Sequence, residues 1–151
     1  MRIADCKRTT GETDITLKLN LDGTGTAAIR TGHAFFDHML HLLARHSLID
    51  MELTTVGDLE VDAHHTVEDT GIVIGDTILR ALGDKKGIRR YGCAYVPMDE
   101  TLCRCVIDIS NRPYLEFRAP PRRSRCPQHA AFPCCGVLPR HCQQPTLQPA
   151  H

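Results

Sequence analysis

The stretch Asp62-Ala63-His64-His65-Thr66-Val67-Glu68-Asp69 opens a segment in which Ile72, Val73, Ile78, Leu79 and Leu82 recur at helical spacing until Gly83. Asp62 is a good N-cap and Gly83 a good stop, so a helix is predicted to begin after Asp62 and end at Gly83. Upstream, Phe35, Phe36, Met39, Leu40, Leu42 and Leu43 keep helical spacing from Phe35 to His46, with Asp37 in the first turn. That earlier helix carries His38, His41 and His46.

Between and around these helices the sequence reads as strands. Apolar and polar residues alternate from Ile15 to Leu21, Asp22-Gly23 supplies turn chemistry, and Ala27 to Arg30 resumes an extended pattern, so a hairpin is predicted there. Leu48 to Val61, broken at Gly57-Asp58, reads as two short strands or one bent one. Three further strand-like stretches lie around Ala94 to Pro97, Leu102 to Ile109 and Tyr114 to Phe117. Mixed rather than strictly alternating elements favour an α+β fold, a layered mixed sheet with two helices.

At Arg118 the texture changes. No aspartate or glutamate follows Glu116, and prolines stand at 120, 121, 127, 133, 139, 145 and 149. Each proline lacks an amide donor and fixes its own φ, so neither helix nor central strand survives such spacing. Residues 1–118 are therefore read as the folded portion and 119–151 as a disordered Pro/Cys-rich tail, foreign in composition and resembling a shifted reading frame or readthrough.

Composition narrows the class. Lysine plus arginine equal aspartate plus glutamate at 18 each, which gives no electrostatic case for nucleic acid or a membrane surface. No apolar run approaches the roughly 18 residues that span a bilayer, and Arg2, Asp5, Lys7 and Arg8 occupy the place of a signal peptide's apolar stretch. The chain reads as a soluble, unexported protein of 151 residues, and Cys6, Cys93, Cys103 and Cys105 as thiols in a reducing compartment.

On the second helix Glu68 stands four residues from His64 and three from His65, so it can join either imidazole on one face. Imidazole with carboxylate suits manganese, iron or zinc. Adjacent histidines point about 100° apart on a helix, so two ions, one for each histidine, is the natural inference. A solvated polar helix start is the bland alternative. His38 gains weight as a ligand only by converging with this cluster from the other helix. Arg90, in Gly87-Ile88-Arg89-Arg90-Tyr91-Gly92, and Arg112, in Ser110-Asn111-Arg112-Pro113-Tyr114, are candidate anion clamps because a guanidinium donates two parallel hydrogen bonds to phosphate. Glu12, in Arg8-Thr9-Thr10-Gly11-Glu12-Thr13, could act as a base beside a metal.

Taken in order, Arg8 to Thr13, Leu21-Asp22-Gly23-Thr24-Gly25, Phe36-Asp37-His38-Met39-Leu40, Gly57-Asp58, Asp62 to Asp69, Val96-Pro97-Met98-Asp99-Glu100 and Arg112-Pro113-Tyr114 resemble the imidazoleglycerol-phosphate dehydratase family across residues 1–118. His33-Ala34 departs from the family pattern, which more often has an apolar residue followed by glycine or proline.

The resemblance implies a manganese-dependent hydro-lyase of histidine biosynthesis, cytoplasmic, converting imidazoleglycerol phosphate to imidazoleacetol phosphate with loss of water. It places His38, His64, His65 and Glu68 among metal ligands, with two Mn2+ per complete site. It makes Glu12 a substrate-contacting acid/base and Arg90 and Arg112 phosphate holders. It also implies a fold of two similar βαβ-type halves, of which this chain carries the first, and a homo-oligomeric shell whose sites complete themselves across subunits. No second paired-histidine helix follows Phe117, so the chain alone is expected to be impaired, with its exposed layer lacking a cover. Two other readings are a non-catalytic metal-binding protein, with Cys126, His129, Cys134, Cys135, His141 and Cys142 as a zinc site, and a defective subunit that joins intact shells.

Overall fold

A computed structural model of the chain describes residues 1–110, 112–116 and 118. The proposed tail disorder and the alternative zinc site lie outside the described residues. The elements run β1 (Ile3–Thr9), β2 (Thr13–Asn20), β3 (Ala27–Arg30), α1 (Ala34–Ser47), β4 (Asp50–Gly57), α2 (His64–Leu82), β5 (Tyr91–Met98) and β6 (Thr101–Asp108).

Strict alternation in β2 and β4 turns one face of each strand inward. The four-stranded sheet has the order β1-β2-β4-β3. Its register aligns inward residues in ladders: Cys6, Leu17, Leu53 and Ile29 form one, and Ala4, Leu19, Met51 and Ala27 another. Phe36, Leu40 and Ala44 of α1 and Val73 and Ile74 of α2 close the core over these ladders. Ile15 and Leu17 have no exposed surface, and burying each side chain contributes roughly 1.5–3 kcal/mol. The helices divide the sheet between them: α2 packs on β1, β2 and β4, whereas α1 packs on β3.

The mixed sheet and two helices match the α+β expectation, but the predicted hairpin is corrected. β2 and β3 are not neighbours: β2 pairs with β1 and β4, both antiparallel, and β3 pairs parallel with β4. Asp50 explains the difference. Its Oδ1 accepts the amides of Thr24 and Thr26 at 2.8 and 2.9 Å, and its Oδ2 accepts Asn20 Nδ2 at 3.2 Å, so the segment after β2 is held across the start of β4. The real hairpin is β1–β2, whose first strand escaped notice because Asp5, Lys7 and Arg8 mask its alternation. Leu48 to Val61 yields one strand, β4.

At the head of α2 the N-cap residue is Ala63 rather than Asp62, although Asp62 Oδ1 still accepts the His64 amide at 2.7 Å. Gly83 ends the helix at φ 55° and ψ −126°, a conformation that a side chain would strain. Strands β5 and β6 form a separate antiparallel ribbon, exposed on both faces. The third predicted strand is absent from the described residues between 112 and 116. Cys6, Cys93, Cys103 and Cys105 are free thiols, as read from the sequence. No described helix is long and apolar enough to cross a membrane.

Candidate metal and substrate site

Most of the candidate donors lie at the start of α2, beside the β1–β2 turn and the β4–α2 loop. In the first turns of the helix His64 Nε2 lies 3.4 Å from Glu68 Oε2, the four-residue pairing anticipated from the sequence. His65 turns elsewhere: its Nδ1 lies 2.8 Å from Asp58 Oδ2, just beyond the end of β4. The two rings stand 5.7 Å apart at an interplanar angle of 65°, so neighbouring histidines serve different partners.

Asp58 raises the pKa of His65, first through this hydrogen bond and then through charge, against an opposing effect of burial. Glu12 and Asp62 raise it further by charge alone. Glu12 is thus brought into the electrostatic neighbourhood of His65 by the tight β1–β2 turn. Thr10 Oγ1 shapes that turn by accepting the amides of Glu12 and Thr13 at 3.2 and 2.9 Å.

Beneath the turn lies Asp69, 9% exposed, a partner that local spacing does not signal. Arg8 Nη1 donates to its Oδ1, while Thr13 Oγ1 donates to its Oδ2 at 2.6 Å. A charged residue one position beyond Glu68 therefore ties the Glu12 turn to the helix that carries the imidazoles. Asp58 and Asp69 are both non-local partners; only the short spacing Gly57-Asp58 before the histidine pair signalled the first of them.

His38 does not join this group. It is exposed on α1, the helix laid over β3 rather than over β1, β2 and β4. Among the described residues no group of three or more His, Cys, Asp or Glu side chains is arranged to hold a metal ion. Convergence of imidazoles from both helices, expected from the sequence, is not seen among the described residues of one chain. The other helix-one histidines have local partners or none of interest: His41 Nδ1 lies 2.8 Å from the carbonyl of Asp37, and His46 is exposed.

The pair that does form suits an ion. Two donors bonded at about 2.1 Å to one cation stand roughly 3.0–3.5 Å apart, and His64 Nε2 with Glu68 Oε2 falls within that span. Residues of α2 therefore fit part of a divalent-ion site, the imidazole and carboxylate chemistry that Mn2+ accepts.

Arg90 and Arg112 both act on Asp108, the last residue of β6. Arg90 Nε and Nη2 donate to both oxygens of Asp108 at 2.6 and 3.1 Å, and its guanidinium lies 5.0 Å over the Tyr91 ring. Asp108 is held below the usual carboxylate range first by the Arg90 hydrogen bond, with Arg112 adding to it by charge. Asp108 thus occupies the Nε/Nη2 edge of Arg90 directly and feels Arg112 by charge alone. A shallow cavity of about 500 Å³ on the opposite, solvent side of the sheet is lined by Asp5, Lys7, Lys18, Arg30 and Glu52 and contains none of the candidate donors.

Fold and site together define an α+β protein whose second helix opens on paired imidazoles and a carboxylate. The family model for imidazoleglycerol-phosphate dehydratase matches residues 31–132. A relative of that name from Akkermansia muciniphila is 73% identical over 120 residues, covering 80% of this chain and 61% of the relative. One from Paraburkholderia xenovorans is 58% identical over 125 residues, covering 83% and 64%. The crystal structure of imidazoleglycerol-phosphate dehydratase from Staphylococcus aureus superimposes with a TM-score of 0.70 at 40% identity, covering 82% of this chain and 67% of that one. The chain belongs to the imidazoleglycerol-phosphate dehydratase family. It spans about three fifths of the length of the curated relatives it matches.

Proposed function

We propose that the chain carries the first part of a histidine-biosynthetic hydro-lyase acting on imidazoleglycerol phosphate to give imidazoleacetol phosphate and water. The observation that carries this reading is the clustering of His64 with Glu68, and of His65 with Asp58, beside the turn that bears Glu12. His38, His64, His65 and Glu68 are the proposed Mn2+ ligands, two ions to a complete site. When bound, such an ion supplies a Lewis acid for the substrate's imidazole ring.

The chain's own groups do the rest. Glu12, held at the turn, takes the proton from the second side-chain carbon while the hydroxyl leaves as water from the carbon beside the ring, and the enol so formed tautomerises to the ketone. Arg90 and Arg112 orient the phosphate, which keeps the reacting carbons at the acid. His38 on α1 stands apart from the α2 donors, so a complete ligand set calls for another subunit, and a homo-oligomer is part of the proposal. A cytoplasmic location follows from the biosynthetic role.

The described donors of one chain form only part of a site, so purified protein with Mn2+ is expected to bind the ion and to turn over little or no substrate. The test is an assay of the chain with Mn2+ and imidazoleglycerol phosphate, alone and mixed with an intact homologue. Turnover by the chain alone at the homologue's rate overturns the expected impairment. Absence of Mn2+ binding overturns the metal assignment. Co-assembly with the homologue supports the reading of a defective subunit.

A further inference from the structure

We propose that Asp58 is a positioning residue that fixes His65 with its proton on Nδ1, leaving the Nε2 lone pair as the metal-binding donor. This rests on the metal reading given above, and it adds a residue that the motif itself does not assign. Asp58 Oδ2 lies 2.8 Å from His65 Nδ1. A carboxylate carries no proton to donate near neutral pH, so the shared hydrogen belongs to the imidazole.

The backbone makes this contact possible. Asp58 follows the last residue of β4, and its carbonyl accepts the Val61 amide at 2.8 Å, which turns the chain back toward α2. Gly57 lies so close to Thr66 that a Cβ there would collide with Thr66 Oγ1 and come within 3.3 Å of Thr66 Cβ. Only glycine lets the end of β4 approach the first turn of α2 this closely, and the approach puts Asp58 beside His65. The carboxylate is only one fifth exposed, and its Oδ1 is buried with no hydrogen-bond partner among the described residues. The Asp58 side chain therefore has no competing donor to draw it from the imidazole. His64, by contrast, presents Nε2 to Glu68, and among the described residues no second carboxylate is paired with its ring.

A carboxylate behind a ligating histidine sets ring orientation and tautomer and raises its basicity, and removing it typically weakens metal binding by 10–100-fold. Two readouts separate this inference from the metal reading. Long-range proton–nitrogen NMR of the labelled 151-residue chain without metal at pH 8.5 reports the His65 tautomer. The expected result is the Nδ1–H form in the wild type and its loss in Asp58→Ala, with Asp58→Asn between them because its amide oxygen still accepts. Titration with Mn2+, read by the resonance of the free ion, should then show about 10–100-fold weaker binding in Asp58→Ala.

A wild-type His65 held mainly as Nε2–H overturns the proposal, whether or not the variants fold. So does an unchanged tautomer in a folded Asp58→Ala, or unchanged Mn2+ affinity in that variant when the wild type binds. If the tautomer behaves as stated and the wild type binds no Mn2+, the positioning of His65 stands and the metal reading fails.

Discussion

Thr13 Oγ1 donates to Asp69 Oδ2 at 2.6 Å, joining the first residue of β2 to α2 inside the protein. The same aspartate takes the Arg8 guanidinium on its other oxygen. Removing one member of such a network leaves the others desolvated without a partner, which is more damaging than the loss of the bond itself. Asp69→Ala is expected to destabilise the chain by about 2–3 kcal/mol, discounted because Arg8 is partly exposed, and Thr13→Val by about 1–2 kcal/mol. Urea denaturation of the two variants and their combination should show less than additive losses. A change below about 0.5 kcal/mol in Asp69→Ala would remove the network from the account.

The His64 and Glu68 pair makes a second prediction. His64→Ala and Glu68→Gln should each weaken Mn2+ binding by at least about tenfold, with a combined effect smaller than the product because either change already breaks the chelate. His41→Ala serves as the control, since its ring is engaged by the Asp37 carbonyl of its own helix. Calorimetric titration decides it. Equal effects at His41 and His64 would remove the chelate from the explanation.

The pH dependence of the Asp58–His65 contact has a definite sign. The folded pKa of His65 lies above its ordinary value of 6.5, chiefly because the imidazolium donates to Asp58. The stabilisation is therefore fully present below about pH 6.5 and is lost as the pH rises through the raised folded value. The urea midpoint of Asp58→Asn should fall furthest below that of the wild type near pH 5.5–6, with the gap narrowing toward pH 8.5. Mn2+ binding should run the other way and strengthen with pH, because a ligating imidazole must lose its proton. A stability gap that widens with pH would contradict the assignment.

Gly57 and Thr66 make a steric pair. Gly57→Ala should cost about 1–3 kcal/mol, since the added Cβ meets the buried Thr66 side chain. Thr66 Oγ1 is buried and has no hydrogen-bond partner among the described residues, so removing the hydroxyl sacrifices little polar pairing. In a double-mutant cycle, Thr66→Ala should restore part of the stability lost in Gly57→Ala. Strictly additive losses would place the strain elsewhere.

Much of the molecule was legible from local pattern. Both helices announce themselves through apolar spacing, and Gly83 ends α2 where its composition says it should. Helical spacing also placed Glu68 over His64, because positions four apart always share a face. The neighbours of β3 were not legible: Asp22-Gly23 has the chemistry of a tight turn, but Asp50, some 25 residues on, captures the amides of Thr24 and Thr26 and redirects the strand. Nor did the sequence disclose that Arg90 is already engaged by Asp108, a contact between the residue before β5 and the last residue of β6.

The sequence by itself determined the residue types of the site, their order and the helix that carries most of them, because helical periodicity and ligand chemistry operate over four or five neighbouring positions. Only the tertiary structure decided which partner each took. It gave His65 to Asp58 and tied Thr13 to Asp69, and it left His38 apart on α1. The physical reason is that sheet order and the seating of each helix arise from burying the whole apolar face at once, and no short segment contains that information.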